Sequence, residues 1–229
     1  MDATIGRASI ALTDLMHAIS SRRPWAAVNL VFAVIASLLA GSVALGAIAL
    51  GLGLLPLPYP LFLVLGRLPI AFPLHMVASG LALILIPIAA FVRHRRAAHR
   101  IAGRSAAVCV AVAGTTALLV AMASEAPLAV RAGLFAQGLV WLVLLAAAIL
   151  AIRCGAVARH ARLMIAMAAV ASGAIWLRLV VYGALAAGLP FDPVYAAAAW
   201  VCWLAPLALA VAATQRLHDA KRPGLLPAV

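Results

Sequence analysis

Apolar residues in this chain come in long blocks separated by short basic stretches, rather than alternating with polar ones. Six blocks are long enough to cross a membrane: Trp25 to about Leu50, Ile70 to Phe91, Ser105 to Ala123, Ala132 to Ile152, Leu163 to about Ala187, and Ala196 to Thr214. A hydrocarbon layer ~30 Å thick needs about 20 helical residues at ~1.5 Å each. Each block therefore reads as one spanning helix. The pattern predicts an all-α fold, a polytopic bundle of six transmembrane helices.

Between the first two blocks, "GLGLLPLPYPLFLVLGRLP" is apolar but carries Pro56, Pro58, Pro60 and Pro69. Each proline removes a backbone donor and clashes with the preceding turn, so no regular span forms there. The stretch is expected to rest on the outer membrane surface, with a short helix near Leu61 to Leu65. Pro87 and Pro206 fall inside spans and are expected to kink them. Ser37, Gly41, Ala44 and Gly46 are expected to bring the first helix close to its neighbours. Ahead of it, Ile5, Ala8, Leu12, Leu15, Met16 and Ile19 share one helical face, which predicts a short interfacial helix over residues 5–19.

The charges orient this arrangement. The chain is 68% hydrophobic and only 10% charged, far short of the surface charge a soluble domain carries. Its net charge of +12 would suggest nucleic acid in a soluble protein. Here the basic residues lie between apolar blocks, which makes them topology signals and contacts for anionic lipid at the cytoplasmic face, with no role for nucleic acid. Residues 1–24, 92–104, 153–162 and 215–229 hold fourteen of the Lys and Arg residues, whereas the opposite loops hold only Arg67 and Arg131. Basic loops stay on the cytoplasmic side, so both termini are expected there. The organisation is then a cytoplasmic amphipathic segment (1–24), a six-helix membrane domain (25–214) and a cytoplasmic tail (215–229). Cys109, Cys154 and Cys202 show no pairing or metal-binding spacing.

Ionisable side chains inside a span are costly enough to mark candidate sites. Two qualify. His75 is about one turn into the second span from the outer side, and Arg178 is in the outer half of the fifth. A neutral imidazole can ligate heme iron or copper, or hydrogen-bond a carbonyl or Ser79. A guanidinium can clamp a propionate, a carboxylate or a quinone oxygen, or reach lipid phosphate. On the cytoplasmic side, His99 in "HRIAGR" and His160 in "RHAR" stand at the entrances of the third and fifth spans, flanked by arginines. They read either as interfacial residues of basic loops or as a bis-imidazole pair whose arginines meet propionates. His94 and His218 read as loop residues, and His17 belongs to the interfacial helix. Carboxylate relays, Walker, GxSxG and HExxH patterns are absent, so hydrolytic or proton-relay chemistry has no apparatus in this sequence.

The series "PLHMVASGLALILIPIAAFVRHRRAAHRIAGR" followed by "RHARLMIAMAAVASGAIWLRL" resembles the DUF2306 family of bacterial integral membrane proteins. The resemblance rests on His75, on His99-Arg100 with Gly103-Arg104, on His160 with Met164, and on Leu177-Arg178-Leu179; Ala161 and Leu163 stand where that family usually has Arg and Trp. It implies a bacterial inner-membrane location and, by analogy of helical pattern, a likeness to cytochromes of the b561 sort. On that reading heme b is the cofactor, His75, His99 and His160 supply metal ligands, and Arg100, Arg104 and Arg178 steady propionates or a quinone. Two alternatives stand beside it. One is a structural or assembly subunit, packed on a membrane-protein partner or a second copy of itself. The other is a transporter or lipid-binding protein taking an anionic ligand near His75 and Arg178.

Overall fold

The computed structural model describes residue 31 and residues 33–219. The expected interfacial helix over residues 5–19 and the tail beyond residue 219 lie outside the described residues. Among those described, the structure is helical and holds no strand, with six helices long and apolar enough to cross a membrane. The chain divides into two units, Met1–Leu39 and Ala40–Val229, with the boundary inside the first long helix, α1 (Ala33–Gly51).

The second unit takes in the rest of α1 and continues with α2 (Tyr59–Arg67), α3 (Ala71–Phe91), a 3-10 turn (Val92–His94), α4 (Arg96–Ala123), α5 (Leu128–Arg153), α6 (Val157–Ala186) and α7 (Phe191–Asp219). The short helix expected near Leu61 to Leu65 is α2, which starts where Pro60 suits the first turn. Four long helices begin earlier than the apolar blocks suggested. α4 starts at Arg96 rather than near Ser105, and α6 at Val157 rather than Leu163. α5 starts at Leu128 and α7 at Phe191. Hydropathy stops counting at the first arginine, but "RAAHRIAGR" and "VARHAR" are rich in good helix formers and the backbone hydrogen bonds continue through them. His99 and His160 therefore lie within the first turns of α4 and α6 rather than ahead of them.

Consecutive helices pack side by side, and α7 also packs on α5. α3 and α6 meet over a short stretch only. The main core joins Ala78, Ala82 and Ile86 of α3, Ala106, Val110 and Ala113 of α4, Trp141 and Leu145 of α5, Met167 and Val170 of α6, and Trp203 of α7. Alanines and glycines set the spacing. A Cβ on Gly80 would stand 2.6 Å from the Ala44 carbonyl oxygen, and one on Gly133 2.8 Å from that of Ala199. Without a hydrophobic drive between helices in lipid, such close backbone approach is what holds them together. The expected contact of α1 is thus made by Ala44 against Gly80, while Gly41 and Gly46 face open space. Large apolar residues such as Leu150, Val143 and Leu209 point outward, as a lipid-facing surface requires.

The two arginines at the sparsely charged end have a structural role. The last four carbonyls of any helix lack intrahelical partners. In α4 those are Val120, Ala121, Met122 and Ala123. Ser124 N serves the first at 3.0 Å, Arg131 serves the next two at 3.2 and 2.7 Å, and Arg67 serves Ala123 at 2.8 Å. Arg67 also pairs with Glu125.

Candidate functional site

Helix α3 holds His75 with its Nδ1 3.0 Å from the Ala113 carbonyl oxygen of α4. A carbonyl oxygen only accepts, so Nδ1 carries the proton and donates. The carbonyl option for His75 is realised; Ser79 instead donates to Met76 O at 3.1 Å. Thr116, the one buried polar residue among those described, lies 3.4 Å from the same Nδ1 and hydrogen-bonds Val112 O at 2.7 Å. His75 is also deeper than its place in the sequence suggests. Ala113 lies ten residues before the end of α4, which is ~15 Å along the axis. α3 begins lower than its neighbour because the chain from Leu52 to Ile70, with α2, is spent at that end. The imidazole thus stands level with the middle of the apolar part of α4.

Arg178 of α6 is half-buried and donates from Nη1 to Ala174 O of its own helix at 2.8 Å. The side chain thus folds back along its own helix towards the preceding turn. It interacts electrostatically with the His75 imidazole and with the phenols of Tyr182 and Tyr195. Tyr195, near the start of α7, packs with Leu177 and Val181 beside it. No carboxylate meets Arg178 among the described residues: their one ion pair is Arg67 with Glu125, and Asp192 lies in the exposed first turn of α7.

The other two histidines repeat the His75 arrangement. His99 Nδ1 lies 2.8 Å from Ala89 O of α3, and His160 Nδ1 lies 2.9 Å from Ala148 O of α5. In all three rings Nδ1 faces a carbonyl oxygen, so Nδ1 carries a proton and donates. They do not gather at one point. Among the described residues, no group of three or more His, Cys, Asp or Glu side chains is placed to hold a metal ion. Nor does helix register bring His99 and His160 to one level. Gly114 packs on Leu142 and Gly138 on Ala117, which fixes α4 against α5. Carried along both helices, that register sets His99 opposite the turn after Arg153, whereas His160 reaches Ala148 inside α5. The two stand roughly 11 Å, or two turns, apart along the bundle. Arg100 and Arg104 continue from His99 along α4, both being exposed at the basic end.

Comparison with known proteins places the chain. The family model described as "Predicted membrane protein (DUF2306)" matches residues 72–214. The chain belongs to the DUF2306 family. The match covers α3 to α7 almost entire, and so includes His75, His99, His160 and Arg178. No curated protein and no solved structure matches the chain.

Sequence reasoning missed three polar groups in the DUF2306 bundle. Thr116 sits beside His75; Gln137 of α5 donates to Val170 O of α6 at 3.1 Å; and the Trp141 indole nitrogen is buried without a hydrogen-bond partner. Gln137 carried a usable signal, being an amide within an otherwise apolar span. Trp141 did not, because hydropathy counts tryptophan as apolar and ignores its N–H.

Proposed function

We propose that this DUF2306 protein binds an amphiphilic small molecule, whose oxygen-bearing head group docks between Arg178 and His75 and whose tail lies in the bilayer. The observation that carries the reading is Arg178 itself: a half-buried guanidinium inside a span, hydrogen-bonded to its own helix, with no carboxylate to meet it among the described residues. Such a group is costly in hydrocarbon unless an oxygen ligand answers it. On this reading the protein lies in the bacterial inner membrane with both termini cytoplasmic; the orientation is supported by the basic 92–104 and 153–162 stretches and by Arg67 and Arg131 being occupied as caps of α4. The test is to purify wild-type protein and the Arg178→Gln variant in mild detergent and extract what each carries. Mass spectrometry should find an amphiphile enriched in the wild type and depleted at least about fivefold in the variant. Equal extracts would sink the reading.

Heme b is the second reading, favoured by the three Nδ1–H bonds to carbonyls, the outer-shell contact that orients metal-ligating imidazoles. The offset between His99 and His160 means that this fold supplies a single axial imidazole at any one level rather than a facing pair. An absorption spectrum of protein from heme-replete cells decides it: a Soret band lost on His99→Ala, His160→Ala or His75→Ala is the expected sign, and a colourless preparation ends the reading.

A further inference from the structure

The chemistry of the head group follows from the hydrogen bonds the site has left to make; this step rests on the binding reading above. His75 has one role remaining. Its Nδ1–H is engaged by Ala113 O, so in the neutral ring Nε2 can only accept. Thr116 directs its hydroxyl to its own helix. Arg178 can only donate. A third group comes from α5. The Trp141 residue is 9% exposed, and its Nε1 is sealed from solvent with no partner. A buried orphan donor of this kind calls for an explanation, and an oxygen the structure does not contain is the usual one.

Trp141 and His75 flank the same part of the interior. Leu142, next to Trp141, packs on Gly114, and Gly114 follows Ala113, whose carbonyl holds His75. Ala78, one turn beyond His75 on the same face of α3, shares a buried cluster with Ala113 and Trp141. The interior therefore offers an acceptor and a donor close to one level, with a second, cationic donor from α6.

We propose that the ligand presents a hydroxyl at this level, and that it is a hydroquinone. The O–H donates to His75 Nε2, and the same oxygen accepts the Trp141 Nε1–H. The second oxygen, across the ring, accepts from Arg178. The oxidised quinone has two bare carbonyls and would set an oxygen lone pair against the Nε2 lone pair. The site thus selects the reduced form. α3 and α6 meet over a short stretch only, and the apolar tail would leave between them into the lipid.

The test measures retention of a short-chain benzoquinol, the matching benzoquinone and a protonated long-chain fatty acid by the full chain in nanodiscs, quantified by mass spectrometry under anaerobic reducing or oxidising conditions. The quinol should be held at least about tenfold more tightly than the quinone, the scale expected when a site built for an O–H meets an analogue without it. Trp141→Phe should weaken quinol retention several-fold and leave the melting temperature of the ligand-free protein within a degree or two; the indole donates to either form, so the preference for quinol over quinone, set by His75, should remain. Equal retention of quinone and quinol would overturn the inference, as would tighter retention of the fatty acid. So would a Trp141→Phe variant that holds quinol normally, whether its melting temperature rises (an indole N–H that meets nothing) or falls (a structural water in that place). Failure of the underlying reading is separate: it shows as an Arg178→Gln variant that retains every probe as well as the wild type.

Discussion

Replacing Arg131 by Met should unseat the end of α4, although counting charges predicts the opposite. Arg131 belongs to the sparsely charged end, where a positive residue opposes the proposed orientation, so on charge alone its loss would be neutral or favourable. Its hydrogen bonds say otherwise. Nε lies 3.2 Å from Ala121 O and Nη2 2.7 Å from Met122 O, two carbonyls that no helical N–H can reach. Bonds from a charged donor contribute ~1.5–3 kcal/mol each when shielded. The Nη2 contact is exposed, so water replaces part of it. The loss should come to roughly 2 kcal/mol for the pair, or about 4–8 °C in melting temperature for a chain of this size.

The chain supplies its own reporter. Cys202 is buried at 6% exposure against α6, whereas Cys154 is exposed in the turn after α5. In a Cys109→Ala, Cys154→Ser background, reaction of a thiol-sensitive fluorophore with Cys202 during heating follows exposure of the core. Arg131→Lys should fall between wild type and Arg131→Met, because an ammonium keeps the charge but cannot present the guanidinium fork to two carbonyls. If Arg131→Met melts with the wild type, or Arg131→Lys is as damaging as Arg131→Met, the capping role is wrong.

Other expectations are quick to check. Gly80→Ala sets a methyl 2.6 Å from the Ala44 carbonyl oxygen, a backbone atom, and should lower stability by about 1–3 kcal/mol in the same heating assay. Gly173→Val meets the Gln137 amide at 2.8 Å and Trp203 Cβ at 2.9 Å, and should be worse than Gly80→Ala; a silent Gly173→Val would mean that α5, α6 and α7 pack more loosely than described. A membrane-impermeant maleimide should label Cys154 in inside-out vesicles and leave it untouched in intact spheroplasts, and the reverse pattern would invert the proposed topology.

Spans were legible in the sequence because lipid allows few solutions: long apolar blocks must be helices with their backbone bonds closed. The proline-rich stretch was legible for the converse reason, and α2 appears there. Helix ends were not, since hydropathy reads side chains while helices are propagated by backbone bonds, which run on through "RAAHRIAGR". The depth of His75 was also hidden. Distance from the end of one's own helix equals depth only if all helices begin at one level, and α3 begins below α4. Likewise the sequence showed glycines in α1 but not their faces: Gly41 and Gly46 meet nothing, and the close contacts are made by Ala44 at Gly80 of α3 and by Gly51 at the Pro73 carbonyl. Arg178 could be found from sequence as a charge in a span, and the lack of an acid to meet it could be read there too, because Glu125 and Asp192 fall in outer loops; among the described residues no carboxylate meets it.

The three histidines look alike in their bonds, yet their acceptors separate them. Ala89 lies in the last turn of α3, where a carbonyl has no helical N–H to meet it, so His99 is sufficiently explained as a cap that ties α4 to α3. Ala113 and Ala148 lie inside α4 and α5, where the helix's own N–H groups already serve the carbonyls. Neither acceptor needs the imidazole. What the bond does for His75 is fix the ring's orientation and tautomer, committing Nδ1 and leaving Nε2 as a bare acceptor. A cap can be replaced by any donor of similar reach, so His99→Gln should keep most of its stability. At position 75, glutamine could keep the fold but presents an amide that both donates and accepts. His75→Gln should therefore melt near the wild type and yet hold quinone and quinol alike, a split that a purely structural histidine would not produce.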